Sequence, residues 1–243
     1  MTSLLAPAKL TLSLRITGVR ADGFHLIDAE MVSLDIADEL TIVDAPTTTV
    51  SVSGPYAAGV PTDETNIVHK ALALCGRTAE ISIVKNIPHG GGLGGGSTNA
   101  AAVLRWAHFT DLEASATVGA DVPFCLVGGR AHVGGIGEII EPLPFEAKKI
   151  TLFIPPIHVS TPAVYRSWDA LGGPVGDNGN DLEAAAVHAY PELQRWKNAI
   201  EDATQHRPQL AGSGATWFAP GHTQLDSAQL AGVQVVYAVT RPR

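Results

Sequence analysis

The run Gly90–Gly96 has six glycines in seven positions and lies between a strand-like segment and an alanine-rich segment typical of a helix. Glycine allows the backbone to turn tightly and to approach a ligand without a Cβ clash. Backbone amides at the start of a helix, together with the helix dipole, form a site for anions. The run therefore predicts a site for a di- or triphosphate, with a flexible loop or a helix-packing turn as the alternative.

Other phosphate-binding loops fit the sequence less well. Gly90, Gly92 and Gly95 have the spacing of a dinucleotide fingerprint, but no second strand–helix–strand unit follows. A Walker A loop ends in Gly-Lys followed by Ser or Thr, and the chain contains no Gly-Lys pair. The catalytic strings of protein kinases are also absent. A dinucleotide oxidoreductase is thus the weaker alternative.

Hydrophobic periodicity predicts an α+β fold rather than a regular alternation of strands and helices. Strand patterns dominate before Lys85, and helix patterns dominate after Ser97, which we predict as a helix N-cap. The predicted strands are Leu10–Ile16, Leu26–Val43 with an interruption near Asp35–Asp38, Ala79–Lys85, Arg130–Val133, Glu138–Ile140, Ile150–Ile154 and Gln234–Val239. The predicted helices are one from Asn66 to Leu74, Asn99–His108, Asp111–Val118, one from Ser160, Asp181–His188 and Pro191–His206.

Composition and charge restrict the function classes. Apolar residues make up 45% and the formal net charge is −8, which predicts a folded protein without a nucleic-acid-binding surface. Cys75 and Cys125 lack zinc-site spacing and are expected to be buried thiols in a reducing cytoplasm. No window approaches the ~20 apolar residues of a transmembrane helix, so we expect no membrane partner. The sequence leaves a monomer and a homodimer open.

Three motifs, in order along the chain, resemble those of the GHMP kinases. They are Ala6–Leu10, Pro88–Ala100 around the glycine run, and Leu210–Thr216, which contains a second tight glycine turn. The resemblance implies an α+β, two-lobed GHMP kinase fold with an N-terminal ribosomal-protein-S5-like lobe and a C-terminal α/β sandwich lobe. The Pro155–Pro156 step is the candidate boundary, which puts the ATP-binding lobe in residues 1–155 and the C-terminal lobe in residues 156–243. The resemblance also implies ATP as the phosphoryl donor.

Four further segments resemble one branch of that family, the 4-diphosphocytidyl-2-C-methyl-D-erythritol kinases. They are Asp22–His25, Gly119–Phe124, Ser160–Pro162 and Asn180–Glu183. This resemblance implies phosphorylation of the 2-hydroxyl of 4-diphosphocytidyl-2-C-methyl-D-erythritol, a step of non-mevalonate isoprenoid biosynthesis. The implied partner is a small molecule that carries a cytidine diphosphate. Another GHMP kinase activity and a non-catalytic nucleotide-binding module are the competing hypotheses.

Lys9 and Asp121 are the catalytic residues that the resemblance implies. Asp121 would accept the hydroxyl proton in phosphoryl transfer. A nearby ammonium would favour its carboxylate and offset charge on the transferred group. The alternatives are a helix N-cap for Asp121 and a solvated strand lysine for Lys9. Lys9 alternates with apolar side chains that begin at Leu10, so it lies on the other face of its strand.

The resemblance assigns further residues to the two ligands. Phe24 and His25 would hold the cytosine by stacking and hydrogen bonding, and a core Phe with a surface His is the alternative. Mg²⁺ would bridge ATP oxygens and take few protein ligands. The expected ATP-binding residues are Asn66, Lys85, Pro88, Gly90, Gly91, Gly92, Leu93, Gly94, Gly95, Gly96, Ser97 and Thr98. The expected substrate-binding residues are Thr11, Phe24, His25, Asp121, Thr161, Gly212 and Gly214, and helix capping is the alternative for Asn66 and Thr161.

The chain departs from the family pattern near its motifs. Thr11 stands where the related kinases usually have Asn, and the shorter side chain loses an amide contact to the substrate diol. Asn99 stands where Asp is common, which removes a charge beside the glycine run. The stretch Arg105–Gly119 is shorter than expected. Because Lys9 and Asp121 are retained, we expect an active enzyme.

Overall fold

The computed structural model of the protein describes residues 1–88, 90–223, 225 and 230–243. Within these ranges the strands are β1 (Thr2–Val19), β2 (His25–Asp44), β3 (Thr49–Ser53), β4 (Ala79–Val84), β5 (Arg130–Gly135), β6 (Ile139–Pro142), β7 (Lys149–Ile154), β8 (Gln209–Leu210), β9 (Trp217–Pro220) and β10 (Gln234–Arg241). The helices are α1 (Ile67–Leu74), α2 (Gly95–Trp106), α3 (Leu112–Ala116), α4 (Val122–Val127), α5 (Thr161–Ala170), α6 (Glu183–Ala189) and α7 (Glu192–Thr204). None of these helices is long and apolar enough to cross a membrane.

The hairpin of β1 and β2 is the central element of the fold. The two strands pair antiparallel along almost their whole length, with three shifts of register. The predicted interruption near Asp35–Asp38 is wrong, because β2 runs through it unbroken. Asp38 is fully buried, and its carboxylate accepts hydrogen bonds from the backbone amides of Asn86 and Ile87. A paired carboxylate can therefore sit inside a strand whose composition suggests a break.

The strands form one mixed sheet in the order β3-β4-β2-β10-β7-β9-β8, with β1, β5 and β6 attached through β2. Only β3 and β4 pair in parallel among the described strands. The α+β class is thereby confirmed. β7 precedes the predicted lobe boundary at Pro155, yet it pairs with β9 and β10, which follow that boundary. The division into residues 1–155 and 156–243 stays a prediction.

The predicted helix starts at Asn66, Asp111 and Ser160 agree with the structure, and the one at Ser97 does not. The side chains of Asn66 and Asp111 cap α1 and α3 by accepting hydrogen bonds from backbone amides two and three residues further on. Ser97 is not an N-cap, because α2 begins two residues earlier, at Gly95. Its cap is Gly94, whose φ of 70° lies in the left-handed region that glycine adopts readily.

Elements that the sequence analysis missed are all short. β3, β8, β9 and α4 have 5, 2, 4 and 6 residues, too few for a clear period in hydrophobicity. The interior is otherwise as the pattern predicts: Ile81 and Ile83 of β4 are both buried against α1 and α2. Cys75 and Cys125 are free thiols, and Cys125 is buried while Cys75 is partly buried.

The two glycine turns pack directly against each other. A Cβ added at Gly92 would lie 2.7 Å from the carbonyl oxygen of Ala211 and 2.9 Å from that of Gly214. The amide of Thr216 also donates a hydrogen bond to the carbonyl of Gly91 at 3.2 Å. The backbones meet because no side chain separates them, and this contact fixes the glycine run against the C-terminal half of the chain.

We expect Gly92→Ala to be far more destabilising than Gly172→Ala. Both glycines have a φ of +77°, but a Cβ at Gly172 would meet nothing within 4 Å. The left-handed backbone should cost about 1 kcal/mol in either variant. The backbone clash at Gly92 should add a further ~1–3 kcal/mol. Denaturant unfolding of both variants measures this, and equal losses of stability would contradict the packing described.

Candidate active site

A cavity of about 550 Å³ opens between the β1–β2 hairpin, the glycine run and α5. The structure thus brings together residues that are far apart in sequence. The predicted residues on its wall are Lys9, Thr11, Phe24, His25, Gly92, Ser97, Asp121, Thr161 and Gly212. Residues of α5 that the sequence analysis did not assign also line it, among them Tyr165, Arg166 and Asp169.

Lys9 and Asp121 form an ion pair on the cavity wall. The Lys9 Nζ lies 3.1 Å from Oδ2 of Asp121, and the exposed fractions of the two side chains are 6% and 33%. Asp121 occupies the predicted N-cap position of α4, but its side chain makes no capping hydrogen bond. Lys9 is not a solvated surface lysine. The pair therefore presents a partly open carboxylate to the cavity, with its counter-charge behind it.

Thr11 and the glycine run hold Lys9 in place. The Nζ of Lys9 donates to Oγ1 of Thr11 at 3.2 Å, and the Lys9 amide donates to the carbonyl of Leu93 at 3.0 Å. A Cβ added at Gly94 would lie 2.6 Å from Cγ of Lys9, so only glycine leaves room for this side chain. Thr11 thus acts directly on the lysine, which the comparison with Asn had not suggested.

The negative charge of Asp121 affects the pKa of two neighbouring groups. Burial raises the pKa of the Cys125 thiol to about 12, and the nearby carboxylate of Asp121 adds to that shift. Burial and the same carboxylate raise the pKa of the Tyr165 hydroxyl. Both groups are therefore neutral at physiological pH. Asp121 and Lys9 are the charged pair at this end of the cavity.

The start of α2 is built to receive an anion. The first intrahelical hydrogen bond runs from the amide of Thr98 to the carbonyl of Gly94 at 2.8 Å. Because Gly94 has no side chain to cap the helix, the amides of Gly95, Gly96 and Ser97 make no hydrogen bond to the described residues. Free amides at the positive end of a helix dipole bind phosphate.

Lys85, one of the expected ATP-binding residues, has a buried side chain, and its part in ATP binding stays a prediction. Its side chain is 3% exposed and forms a buried ion pair with Asp38, and it donates to Oδ1 of Asn99 at 2.9 Å. Asn99 in turn donates to Asp38 at 2.9 Å. Burial lowers the pKa of Lys85, and Asp38 opposes that shift. The network joins β2, the end of β4 and α2 underneath the glycine run.

Asn66 and Thr98 also serve the structure. Asn66 uses its amide oxygen to cap α1, and it donates to the carbonyl of Pro61 at 2.7 Å, so the capping alternative is correct. Thr98 is fully buried and donates to the carbonyl of Pro7 at 2.8 Å. It therefore anchors α2 to β1 instead of offering its hydroxyl to a ligand. Ser97, by contrast, lines the cavity.

The remaining loop residues lie at the junction of the two glycine turns. Pro88 and Leu93 are buried, and residue 89 lies outside the described ranges. A second cavity of about 350 Å³ adjoins the first and is lined by Gly90, Gly92, residues 158–162 and Gly214. The hydroxyl of Thr161 lies 2.8 Å from that of Ser213, between the two cavities.

Asn180 explains why the second glycine turn is rigid. Its side-chain amide donates to the carbonyls of Leu210 and Gly212 at 2.8 and 2.7 Å, and its oxygen accepts from the amide of Leu182 at 2.9 Å. Every polar atom of this buried side chain is therefore paired. Gly212 is held beside Lys9 and Thr11 as a result.

The far end of the cavity is aromatic. Phe24 is 55% exposed, whereas the side chain of His25 is 9% exposed. The ring of His25 lies 4.7 Å from that of Tyr165, at an angle of 40°. Phe24 is thus not a core residue, and His25 is not a surface one. Tyr165 could have been found from the sequence, because it follows Thr161 by one helical turn on the same face.

Comparison with known proteins agrees with this geometry. The profile of the GHMP kinases N terminal domain matches residues 66–129. A 4-diphosphocytidyl-2-C-methyl-D-erythritol kinase from Paracoccus denitrificans is 37% identical over 93% of this chain and 91% of its own length. One from Ruegeria pomeroyi is 36% identical over 88% of this chain and 86% of its own length.

Solved structures lead to the same family. The crystal structure of a 4-(cytidine 5'-diphospho)-2C-methyl-D-erythritol kinase has a TM-score of 0.77 and 27% identity, and the match covers 98% of this chain and 99% of that one. The mevalonate kinase of L. major has the same fold, with a TM-score of 0.65 at 15% identity and coverage of 100% and 96%. This chain is therefore a small-molecule kinase of the GHMP type and belongs to the 4-diphosphocytidyl-2-C-methyl-D-erythritol kinase family.

Proposed function

We propose that this enzyme transfers the γ-phosphoryl group of ATP to the 2-hydroxyl of 4-diphosphocytidyl-2-C-methyl-D-erythritol, with Lys9 and Asp121 as its catalytic residues. The observation that carries the proposal is the position of the Lys9–Asp121 pair on the wall of one cavity. On one side of the pair lies the anion-binding start of α2. On the other side lies the aromatic end with Phe24 and His25.

Phosphoryl transfer requires the protein mainly to position the reactants and to stabilise the charge of the transition state. The substrate hydroxyl oxygen forms a bond to the γ-phosphorus while the bond from that phosphorus to the β,γ-bridging oxygen breaks, and ADP leaves. The hydroxyl proton passes to Asp121, whose carboxylate faces the cavity. Lys9 offsets the negative charge on the transferred group, which is spread over three oxygens in the transition state.

The amides of Gly95, Gly96 and Ser97 are the groups that we assign to the phosphates of ATP. These amides lack partners among the described residues, and α2 places its positive end behind them. The glycines of this loop shape the approach, because a Cβ at Gly91 or Gly92 would meet the second glycine turn and one at Gly94 would meet Lys9. Phosphate recognition by backbone suits a protein of net charge −8.

A Mg²⁺ ion fits the oxygen donors at this point. Asp121 and Ser97 both line the cavity and carry oxygen, the donor type that Mg²⁺ takes. The described residues contain no group of three or more His, Cys, Asp or Glu side chains that could hold a metal. We therefore assign most of its ligands to ATP and water. When bound, the ion neutralises phosphate charge.

The aromatic end supports a nucleobase in the acceptor substrate. Phe24, His25 and Tyr165 enclose a space that suits a flat ring, and His25 brings a polar nitrogen to it. Thr161, Gly212 and Gly214 lie between this end and the glycine run, where a diphosphate would pass. Because both cysteines are free thiols, we assign the enzyme to the reducing cytoplasm.

Release of ADP tests the proposal directly. Purified protein with ATP, Mg²⁺ and 4-diphosphocytidyl-2-C-methyl-D-erythritol should produce ADP and the 2-phosphate, and cytidine diphosphate should compete with the acceptor. Absence of turnover with this alcohol, together with phosphorylation of mevalonate or homoserine, would show that the enzyme serves a different acceptor.

Asp121→Asn should lower kcat by about 10²–10⁴-fold, because the amide cannot accept the hydroxyl proton. Asp44→Asn is the matched control, since Asp44 is an exposed partner of Arg77 outside the cavity and its loss should leave kcat unchanged. Steady-state kinetics with saturating ATP measures both. A fully active Asp121→Asn enzyme with normal Asp44→Asn kinetics would exclude Asp121 as the base.

Tyr165→Ala should raise the KM for the acceptor and leave kcat nearly unchanged. Loss of one stacking partner costs about 1–3 kcal/mol, which is roughly a 5- to 150-fold increase. Tyr165→Phe keeps the ring and should behave like the wild type. If both substitutions alter KM equally, the hydroxyl and not the ring makes the contact.

A further inference from the structure

His25 and Asp169 join the two sides of the cavity. The Nε2 of His25 lies 2.7 Å from Oδ1 of Asp169, although the two residues are 144 positions apart. His25 begins β2, and Asp169 lies in the last turn of α5. The exposed fractions of the two side chains are 9% and 50%. The imidazole is thus mostly enclosed, while the carboxylate that reaches it comes from the solvent side.

The ring of His25 is also fixed by contacts with α5. Tyr165 lies 4.7 Å away, and Trp168 meets the ring edge-on at 5.4 Å and 85°. Trp168 is itself held by a hydrogen bond of 2.9 Å from its Nε1 to the carbonyl of Pro174. Tyr165, Trp168 and Asp169 are spaced by three and four residues, so one face of α5 surrounds the ring. These contacts fix the orientation of the His25 ring, so the main variable left is which ring nitrogen carries the proton.

The carboxylate of Asp169 determines that position. An ionised carboxylate only accepts hydrogen bonds, so the nitrogen beside it must carry the proton. In a neutral imidazole the other nitrogen, Nδ1, is then a bare acceptor. Nδ1 makes no hydrogen bond to the described residues, and His25 lines the cavity. The site therefore offers a hydrogen-bond acceptor to the base.

An acceptor distinguishes the two common pyrimidines. Cytosine carries an amino group at C4, which donates, whereas uracil carries an oxygen at the same place, which accepts. An acceptor on the protein pairs with the amino group and repels the oxygen. The opposite tautomer, with the proton on Nδ1, would favour uracil.

We infer that Asp169 is a positioning residue that holds the Nε2–H tautomer of His25 and thereby makes the site select a cytidine diphosphate over a uridine diphosphate. The inference rests on the proposed function, in which this end of the cavity binds a pyrimidine. Asp169 acts through His25 and does not touch the base.

Competition binding with CDP and UDP at about pH 8 tests the inference. The wild type should prefer CDP, and Asp169→Asn should reduce that preference about five- to tenfold, because its amide can accept from or donate to Nε2. Asp169→Glu restores a carboxylate and should recover most of the preference. Asp177→Asn is the control, since Asp177 is an exposed acid that pairs with Arg207 away from the cavity.

Two further measurements separate this role from a structural one. The KM for the cytidine substrate should rise in Asp169→Asn while kcat stays within about twofold, as expected for lost binding energy. Nitrogen-15 spectra of the wild type should show His25 protonated at Nε2, with the signal identified by its loss in His25→Gln. This readout needs no Asp169 variant to fold.

Full CDP preference in a folded Asp169→Asn protein, or a wild-type His25 protonated at Nδ1, would overturn the inference and leave the proposed function intact. Wild-type protein that binds neither nucleotide would instead contradict the proposed function, and the selectivity inference with it. A reduced preference in Asp169→Asn that Asp169→Glu restores, with Asp177→Asn unchanged, supports both.

Discussion

The direct contact between two glycine turns determines how the active site is assembled. Gly92 lies against the carbonyls of Ala211 and Gly214 with no space for a Cβ. In the same loop, the carbonyl of Leu93 accepts a hydrogen bond from the Lys9 amide, and this hydrogen bond fixes the strand that carries Lys9. Asn180 stiffens the partner turn from behind by pairing all its polar atoms. The contacts of Gly92 and Leu93 are backbone contacts, so the position of the glycine run relative to Lys9 and the second turn depends on the main chain, with the side chain of Asn180 as an additional support.

Two lysine–aspartate pairs flank the glycine run, and their burial separates their roles. Lys85 and Asp38 are 3% and 0% exposed, and Asp38 also accepts from Asn99 and from two backbone amides. These two side chains are therefore buried and hydrogen-bonded to each other and to their neighbours, away from the cavity. Asp121 is 33% exposed beside Lys9 and faces the cavity. The network that contains Asn99 thus connects α2 to β2 below the glycine run, whereas the pair of Lys9 and Asp121 lines the cavity.

The sequence predicts the parts of this site that carry a local pattern. The glycine run, the strand before it and the motif residues Lys9 and Asp121 all follow from short stretches of chain. The buried ion pair of Lys85 could not be predicted, because its partner Asp38 lies 47 residues away, in a stretch whose composition suggests a break in the strand. The sequence suggests that the Thr98 hydroxyl is free, but in the structure this hydroxyl donates a hydrogen bond to the carbonyl of Pro7 in β1. Whether a polar side chain near a ligand site is free to bind a ligand depends on its pairing with residues distant in the sequence. Such pairing cannot be predicted from composition.

Thr11, the departure closest to the reacting groups, has a physical explanation in the geometry of Lys9. An ammonium has three protons to donate. Among the described residues, one is directed at Asp121 and one at the hydroxyl of Thr11, at 3.1 and 3.2 Å. The third has no partner among the residues that the structure describes, and in the proposed mechanism it contacts a phosphoryl oxygen. A short hydroxyl at position 11 thus accepts a hydrogen bond from the lysine and leaves one ammonium proton for the group whose transfer we propose.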